Sequence, residues 1–289
     1  MGSDTEIELT LVGAGSPHMS AERYGSAVAI RADGHLLLTD CGPATTYKLL
    51  RSGLNPLEVE ALLVSHHHFD HTADVANLLL GHWEKSLGNY EPIHVVGPQP
   101  TARFVDTLVG ENGAYRPDID ARRNSPVSQN LWVNRGGTLP RPELIRRVDE
   151  LVEDDSITLD SGWEVTTTRA EHVQPFLDSL AYRIEIGGRS IVITGDTEPC
   201  ESVTRLAEGA DLMVAMCCEL DSERGTVPGQ MGTDGVGEMA ATAGVKRLVL
   251  THTNTKLAEP GRRERAVHAV AQHFDGEIYF GFEGLTLTI

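Results

Sequence analysis

The stretch Ser65-His66-His67-His68-Phe69-Asp70-His71 constrains this chain more than any other. It follows a short apolar run, Ala61-Leu62-Leu63-Val64. It precedes a segment with helical spacing, Ala73, Ala76, Leu79, Leu80 and Trp83. The cluster therefore sits on a strand-to-helix turn. Neutral imidazole and carboxylate are ligand types that bind zinc without redox chemistry. Along extended backbone alternate side chains share a face, so His66 and His68 point one way and His67 another. Asp70 and His71 lie past the turn and reach a second ion nearby. The internal position, the two flanking elements and Asp70 separate this pattern from a tag-like histidine tract.

The remainder of the chain alternates strands and helices. Glu6–Val12 reads as a strand broken by Gly13-Ala14-Gly15-Ser16-Pro17, a tight turn with no G-x-G-x-x-G. Segments 25–31 and 35–39 form a hairpin about Asp33-Gly34. Helices are expected at 45–52, 100–109, 202–207, 233–243 and 262–274. A second hairpin turns at Gly187-Gly188. Strands at 212–215, 247–250, 278–280 and 285–289 finish a sheet. Between them, 110–155 is rich in Pro, Gly, Asn and Arg, has little periodicity, and reads as an inserted loop or arm. The two halves, 6–109 and 157–289, are both of α/β type, and 1–289 reads as one domain.

A chain of 289 residues with 40% hydrophobic content and a mean hydropathy of −0.19 reads as a soluble globular protein. No apolar run suits a membrane span, and the opening residues lack a basic, then apolar, leader. Cys41, Cys200, Cys217 and Cys218 form no disulfide framework, and a reducing cytoplasm fits them. The net charge of −18 argues against a nucleic-acid partner, because phosphate binding relies on Lys and Arg. Eight arginines lie between positions 103 and 147, interleaved with carboxylates; most are surface charges, while one or two offer an anion site.

The pattern H-x-H-x-D-H resembles the signature of the metallo-β-lactamase superfamily. That resemblance implies three further ligands at strand ends, matched by His172 in Arg169-Ala170-Glu171-His172, Asp196 in Thr194-Gly195-Asp196-Thr197 and His252 in Leu250-Thr251-His252-Thr253. It implies a four-layer αββα sandwich carrying the arm at about 110–155. It implies that His66, His68 and His172 hold one metal, that Asp70, His71 and His252 hold the second, and that Asp196 bridges them. Two Zn2+ ions sharing a hydroxide would follow, with Mn2+ or Fe2+ also compatible with these ligands. Asp70 and Asp196 are then the catalytic carboxylates, and Asp40 supports a ligand histidine from behind. Glu219 is a second supporting candidate. His18, Arg122, Arg123 and Trp132 are candidates for substrate contact.

Within the superfamily the chain is similar to the ribonuclease Z and arylsulfatase-like branch, through Gly13-Ala14-Gly15-Ser16-Pro17, Thr39-Asp40-Cys41-Gly42, Gly195-Asp196-Thr197 and the segment 243–252. It departs from ribonuclease Z where that enzyme carries a His-Glu pair and this chain reads Cys218-Glu219. It departs again at 228–233, where the enzyme's proposed proton-donating His is missing, and no lysine- and glycine-rich tRNA-gripping arm is visible. The reading that follows is a metal-dependent hydrolase of small ester-type substrates, with anionic phosphodiesters favoured, acting as a cytoplasmic homodimer away from membranes. Alternatives are a lactone or carboxylic ester hydrolase, a tRNA 3′-end endonuclease, and a metal-binding protein of this fold without catalysis.

Overall fold

The computed structural model describes residues 6–87, 90–224 and 227–289; the opening residues read above for a leader lie largely outside these. Among the described residues, fourteen strands form two seven-stranded mixed sheets. The first half supplies β1 (Glu8–Ala14), β2 (Ser26–Ala32), β3 (His35–Thr39), β4 (Val59–Leu63), β5 (His94–Gly97) and β6 (Arg147–Glu150). The second supplies β7 (Ser156–Thr158), β8 (Glu164–Arg169), β9 (Leu180–Ile186), β10 (Arg189–Ile193), β11 (Leu212–Met216), β12 (Arg247–Thr251), β13 (Glu277–Phe280) and β14 (Thr286–Thr288). The orders are β14-β1-β2-β3-β4-β5-β6 and β13-β12-β11-β10-β9-β8-β7. β14 leaves its own half to pair antiparallel with β1, so the last two strands finish different sheets.

Both sheets repeat one plan, an antiparallel hairpin region running into parallel strands. β1, β2 and β3 pair antiparallel and β3 to β6 parallel; β7 to β10 pair antiparallel and β10 to β13 parallel. The β2–β3 turn is Asp33-Gly34, both with positive φ, as a tight hairpin turn requires. Parallel strands need both faces covered, and their sequences here are nearly continuous apolar runs, such as Leu212–Met216. Leu9, Leu11, Ile30, Leu63, Ile184, Ile193 and Val214 fill the space between the sheets. Two further apolar layers, around Trp83 and around Met239, lie beneath helices on the outer faces. Three apolar layers separating four structural ones give the αββα sandwich. No described helix is long and apolar enough to cross a membrane.

The arm departs from the loop reading. It folds into helices Arg116–Asn124 and Pro126–Asn134, and the chain then rejoins the first sheet as β6. Each helix has one fully buried anchor, Ile119 or Trp132, too few to register as periodicity. Trp132, a candidate for substrate contact, is instead a packing residue: it is 1% exposed and donates Nε1–H to Thr138 O at 2.9 Å. The Arg141 guanidinium lies between the rings of Trp83 and Trp132, 4.0 and 4.4 Å from their centroids, and pairs with Glu84. Arg122 and Arg135 converge on the same carboxylate, while Arg123 pairs with Glu143. Burial alone would raise the Glu84 carboxyl; hydrogen bonds from Arg141 and Arg135 bring it below its ordinary range. Arg122 and Arg123, candidates for substrate contact, are thus engaged by carboxylates that fasten the arm. Arg141→Ala should destabilise the protein by about 3 kcal/mol, since it removes one partner of a buried pair. Arg141→Lys should recover only part of this, lacking the planar stack. Urea unfolding midpoints at fixed slope measure both.

Candidate metal centre

All seven predicted ligands meet at one end of the sandwich, on the turns and the short helix that follow strand ends. His66 follows β4, and His68 caps the short helix Phe69–Thr72, whose first turn carries Asp70 and His71. His172 follows β8, Asp196 follows β10 and His252 follows β12. His67 points away, placing Nε2 3.1 Å from Thr101 Oγ1 and its ring beside Phe104. His252 at φ 53° and Asp40 at φ 61° hold left-handed backbone unusual for non-glycine residues. Such conformations persist only where the surroundings enforce them.

The ligand atoms form two groups, His66, His68, His172 and Asp196, and Asp70, His71 and His252. His68 Nδ1 lies 2.9 Å from His66 Nε2 and 3.2 Å from His172 Nε2. His252 Nε2 lies 3.1 Å from Asp70 Oδ2 and 3.2 Å from Asp196 Oδ2. Asp196 Oδ2 is also 3.7 Å from His172 Nε2 and 4.0 Å from His66 Nε2, while its Oδ1 is 3.5 Å from His71 Nε2. One carboxylate therefore faces both groups. Ligand atoms about 2.0–2.1 Å from a tetrahedral ion lie about 3.3 Å from one another, close to these separations. Asp70 Oδ1, His71 Nε2 and Asp196 Oδ1 are buried with no hydrogen-bond partner among the described residues, as expected of atoms that face a cation. The residues fit two divalent ions.

A further shell fixes the rings. Asp40 Oδ1 accepts from Ser65 N at 2.8 Å; Oδ2 accepts from Ser65 Oγ at 3.0 Å and faces His71 Nδ1 at 2.7 Å. Gly229 O lies 2.6 Å from His172 Nδ1, and a Cβ at Gly229 would stand 2.1 Å from His172 O. Tyr182 donates to Val64 O at 2.7 Å, and Leu180 N to Ser65 O at 2.9 Å, joining the sheets beside the turn. Neither Ser65, Tyr182 nor Gly229 was indicated by the sequence reading, although Ser65 is adjacent to the motif. Glu219 accepts from Asn254, two residues past His252, at 3.2 Å. His18 is exposed on the β1–β2 loop, with Nδ1 3.3 Å from Ser16 Oγ. A cavity of about 550 Å3 lies at the opposite end of the second sheet, around Gly187, Asp211 and Lys246, away from these ligands.

Without ions the two groups hold protons differently. Burial and the neighbouring His71 push His66 well below the usual imidazole range; burial and His172 lower His68. Burial opposes charge on His71 as well, but Asp40 and Asp196 raise it to about 10. Asp196 and Asp70 likewise overcome burial and raise His252, and those cations keep Asp196 ionised. The His66 group is ready for a cation, whereas the His71 group must first release protons.

A family model described as a β-lactamase superfamily domain matches residues 35–253. Ribonuclease Z of Mycobacterium sp. strain KMS is 30% identical, over 95% of this chain and 93% of that protein. Among solved structures, the metallo-β-lactamase fold protein YhfI from Bacillus subtilis superposes with TM-score 0.74 at 21% identity, covering 98% and 100% of the two chains. Human tRNase Z, short form, gives 0.67 at 20%, covering 97% and 98%. The charge-based exclusion of nucleic acid, and with it the preference for a small anionic partner, is overturned by relatives named Ribonuclease Z that match nearly end to end. Net charge sums the whole surface, whereas a phosphate meets only the site.

Two predictions follow from the shell and the protons. Asp40→Ala should weaken binding of the ion at the His71 group about 10–100-fold, measured by metal content after dialysis. Because His71 stays protonated up to about pH 10 in the ion-free protein, its group loses affinity as pH falls. Titration should therefore find two ions per chain at about pH 8 and a strongly weakened second ion at about pH 6.

Proposed function

The chain belongs to the β-lactamase superfamily, among relatives named Ribonuclease Z, and from that premise we propose that it is a two-zinc phosphodiesterase that cleaves RNA at a tRNA 3′ end. The observation that carries the reading is Asp196, whose two oxygens face histidines of both groups. When bound, two zinc ions would supply Lewis-acid activation of a water at neutral pH and positive charge against the phosphate oxygens. Zinc suits the imidazole-rich, four-atom grouping around His66.

The chain's own residues do the remaining work. His66, His68 and His172 would hold one ion and Asp70, His71 and His252 the other, and Asp196 faces histidines of both groups. Asp40 and Gly229 O orient the His71 and His172 rings through Nδ1, which commits Nε2 to the ion. The Asp70 carboxylate, with Oδ2 3.1 Å from His252 Nε2, would orient the attacking water toward phosphorus and accept its proton. The bond from phosphorus to the ribose oxygen then breaks. The stretch 228–233, where ribonuclease Z carries its proposed acid, holds no histidine, and Met231 within it is wholly buried in the apolar layer outside the second sheet, with Cys218 N donating to its carbonyl at 2.9 Å. The leaving oxygen accordingly takes its proton from solvent.

Zinc-loaded protein should cleave a tRNA precursor bearing a 3′ trailer, read on a sequencing gel, and should hydrolyse bis(p-nitrophenyl) phosphate. Asp196→Ala should lower both rates at least about a thousandfold. Turnover of the small diester by the wild type, with every RNA left intact, would sink the RNA reading while keeping the phosphodiesterase.

A further inference from the structure

A second cavity opens at the metal end, about 180 Å3 in volume, between the residues just past β6 and the loop 170–180 that carries His172. Pro98, Leu151, Val152 and Leu180 give it apolar walls. It is smaller than the roughly 300–1,000 Å3 of pockets for drug-sized ligands, and suits one flat ring system.

Its polar groups define the occupant. Arg169 lines it, but its guanidinium is engaged by Glu171 at 3.1 Å, so no free cation awaits a phosphate. Asp178 and Glu153 bring carboxylate acceptors. Ser179, 2% exposed, has a hydroxyl with no partner among the described residues. Gln174 is committed at both ends, Oε1 accepting from His172 N at 2.8 Å and Nε2 donating to Ala170 O at 2.6 Å. That pair of bonds ties the cavity wall directly to a metal ligand. On the same loop, between Gln174 and Asp178, the Phe176 ring is 86% exposed. Phe176 does not line the cavity, but it lies in the chain between two residues that do, and a large apolar ring left in water is a stacking face for an unpaired base.

We propose that this cavity is a nucleobase subsite, taking a base with an exocyclic amino group from the nucleotide next to the reacting phosphate, with Phe176 stacking against it at the rim. An apolar slot, carboxylate acceptors and a hydroxyl match a neutral amino-bearing heterocycle and repel a phosphate. The arm's arginines are occupied by carboxylates, so the strand is gripped here by its base instead of along its backbone. The inference rests on the RNA-cleaving reading, but it is tested separately.

The test is calorimetric titration of zinc-loaded protein with AMP, CMP, UMP and ribose 5-phosphate. AMP and CMP should bind about tenfold more tightly than ribose 5-phosphate, with UMP weaker than either, a difference in the range of one stacked base. Val152→Trp, at a half-exposed wall, and Phe176→Ala, at an exposed rim, should each reduce the AMP affinity toward that of ribose 5-phosphate. Ribose 5-phosphate has no base, so its affinity reports on the metal site and the fold. Equal affinities for AMP and ribose 5-phosphate, or a base preference unchanged in both variants, would overturn the subsite. Base preference in a protein that cuts no RNA would keep the subsite and remove the RNA reading; RNA cleavage without base preference would do the reverse.

Discussion

The Asp40 carboxylate is the interaction on which the site depends. It stands at the end of β3, 1% exposed, with left-handed backbone, and its amide donates to Leu63 O at 2.7 Å. Its oxygens take the amide and hydroxyl of Ser65, where the metal turn begins, and face Nδ1 of His71, where it ends. One buried charge thereby fixes both ends of the turn and the ring orientation of a ligand. A buried carboxylate is tolerable only when its lone pairs are filled. These partners fill them, and each partner is in turn committed to a single geometry.

The site places five imidazoles and two carboxylates in contact, an arrangement that water alone does not favour. In the ion-free protein the conflict is resolved by protons, held by the rings nearest Asp40, Asp70 and Asp196 and refused by His66 and His68. A divalent ion does the same electrostatic work with better geometry, and its unpartnered atoms are already in place. Ion binding is therefore a proton-for-metal exchange within a preorganised cage.

The turn with His66, His68, Asp70 and His71 was visible as a dense motif after an apolar run, with alternation separating His66 and His68 from His67. His172, Asp196 and His252 were indicated only by the family resemblance; β8, which leads to His172, reads Glu164-Val165-Thr166-Thr167-Thr168-Arg169 and carries no apolar run. Most strands and helices were legible because their periodicity is strong. The arm was not: Ile119 and Trp132 are lone anchors in polar helices, and what holds them is Arg141 between two tryptophans, a contact of long sequence range. The separation of β13 from β14 was hidden because adjacent strands usually share a sheet. The charge argument against nucleic acid failed because a sum over 289 residues carries no information about which surface meets the phosphate. Arg122 and Arg123 illustrate the converse, since a cluster of cations in sequence proved to be internally neutralised.

The seam location of the site has a consequence for how the chain matures. His66 and His71 come from one sheet and His172, Asp196 and His252 from the other, and 180 residues lie between His71 and His252. Closing so long a loop carries an entropic penalty that only the docked sheets offset, sealed at the turn by Tyr182 and Leu180. Neither half alone can present the complete cage. A fully metallated centre thus certifies that the chain has been made through β12 and that its two sheets have closed on one another, so hydrolytic power arises only in molecules that have finished folding.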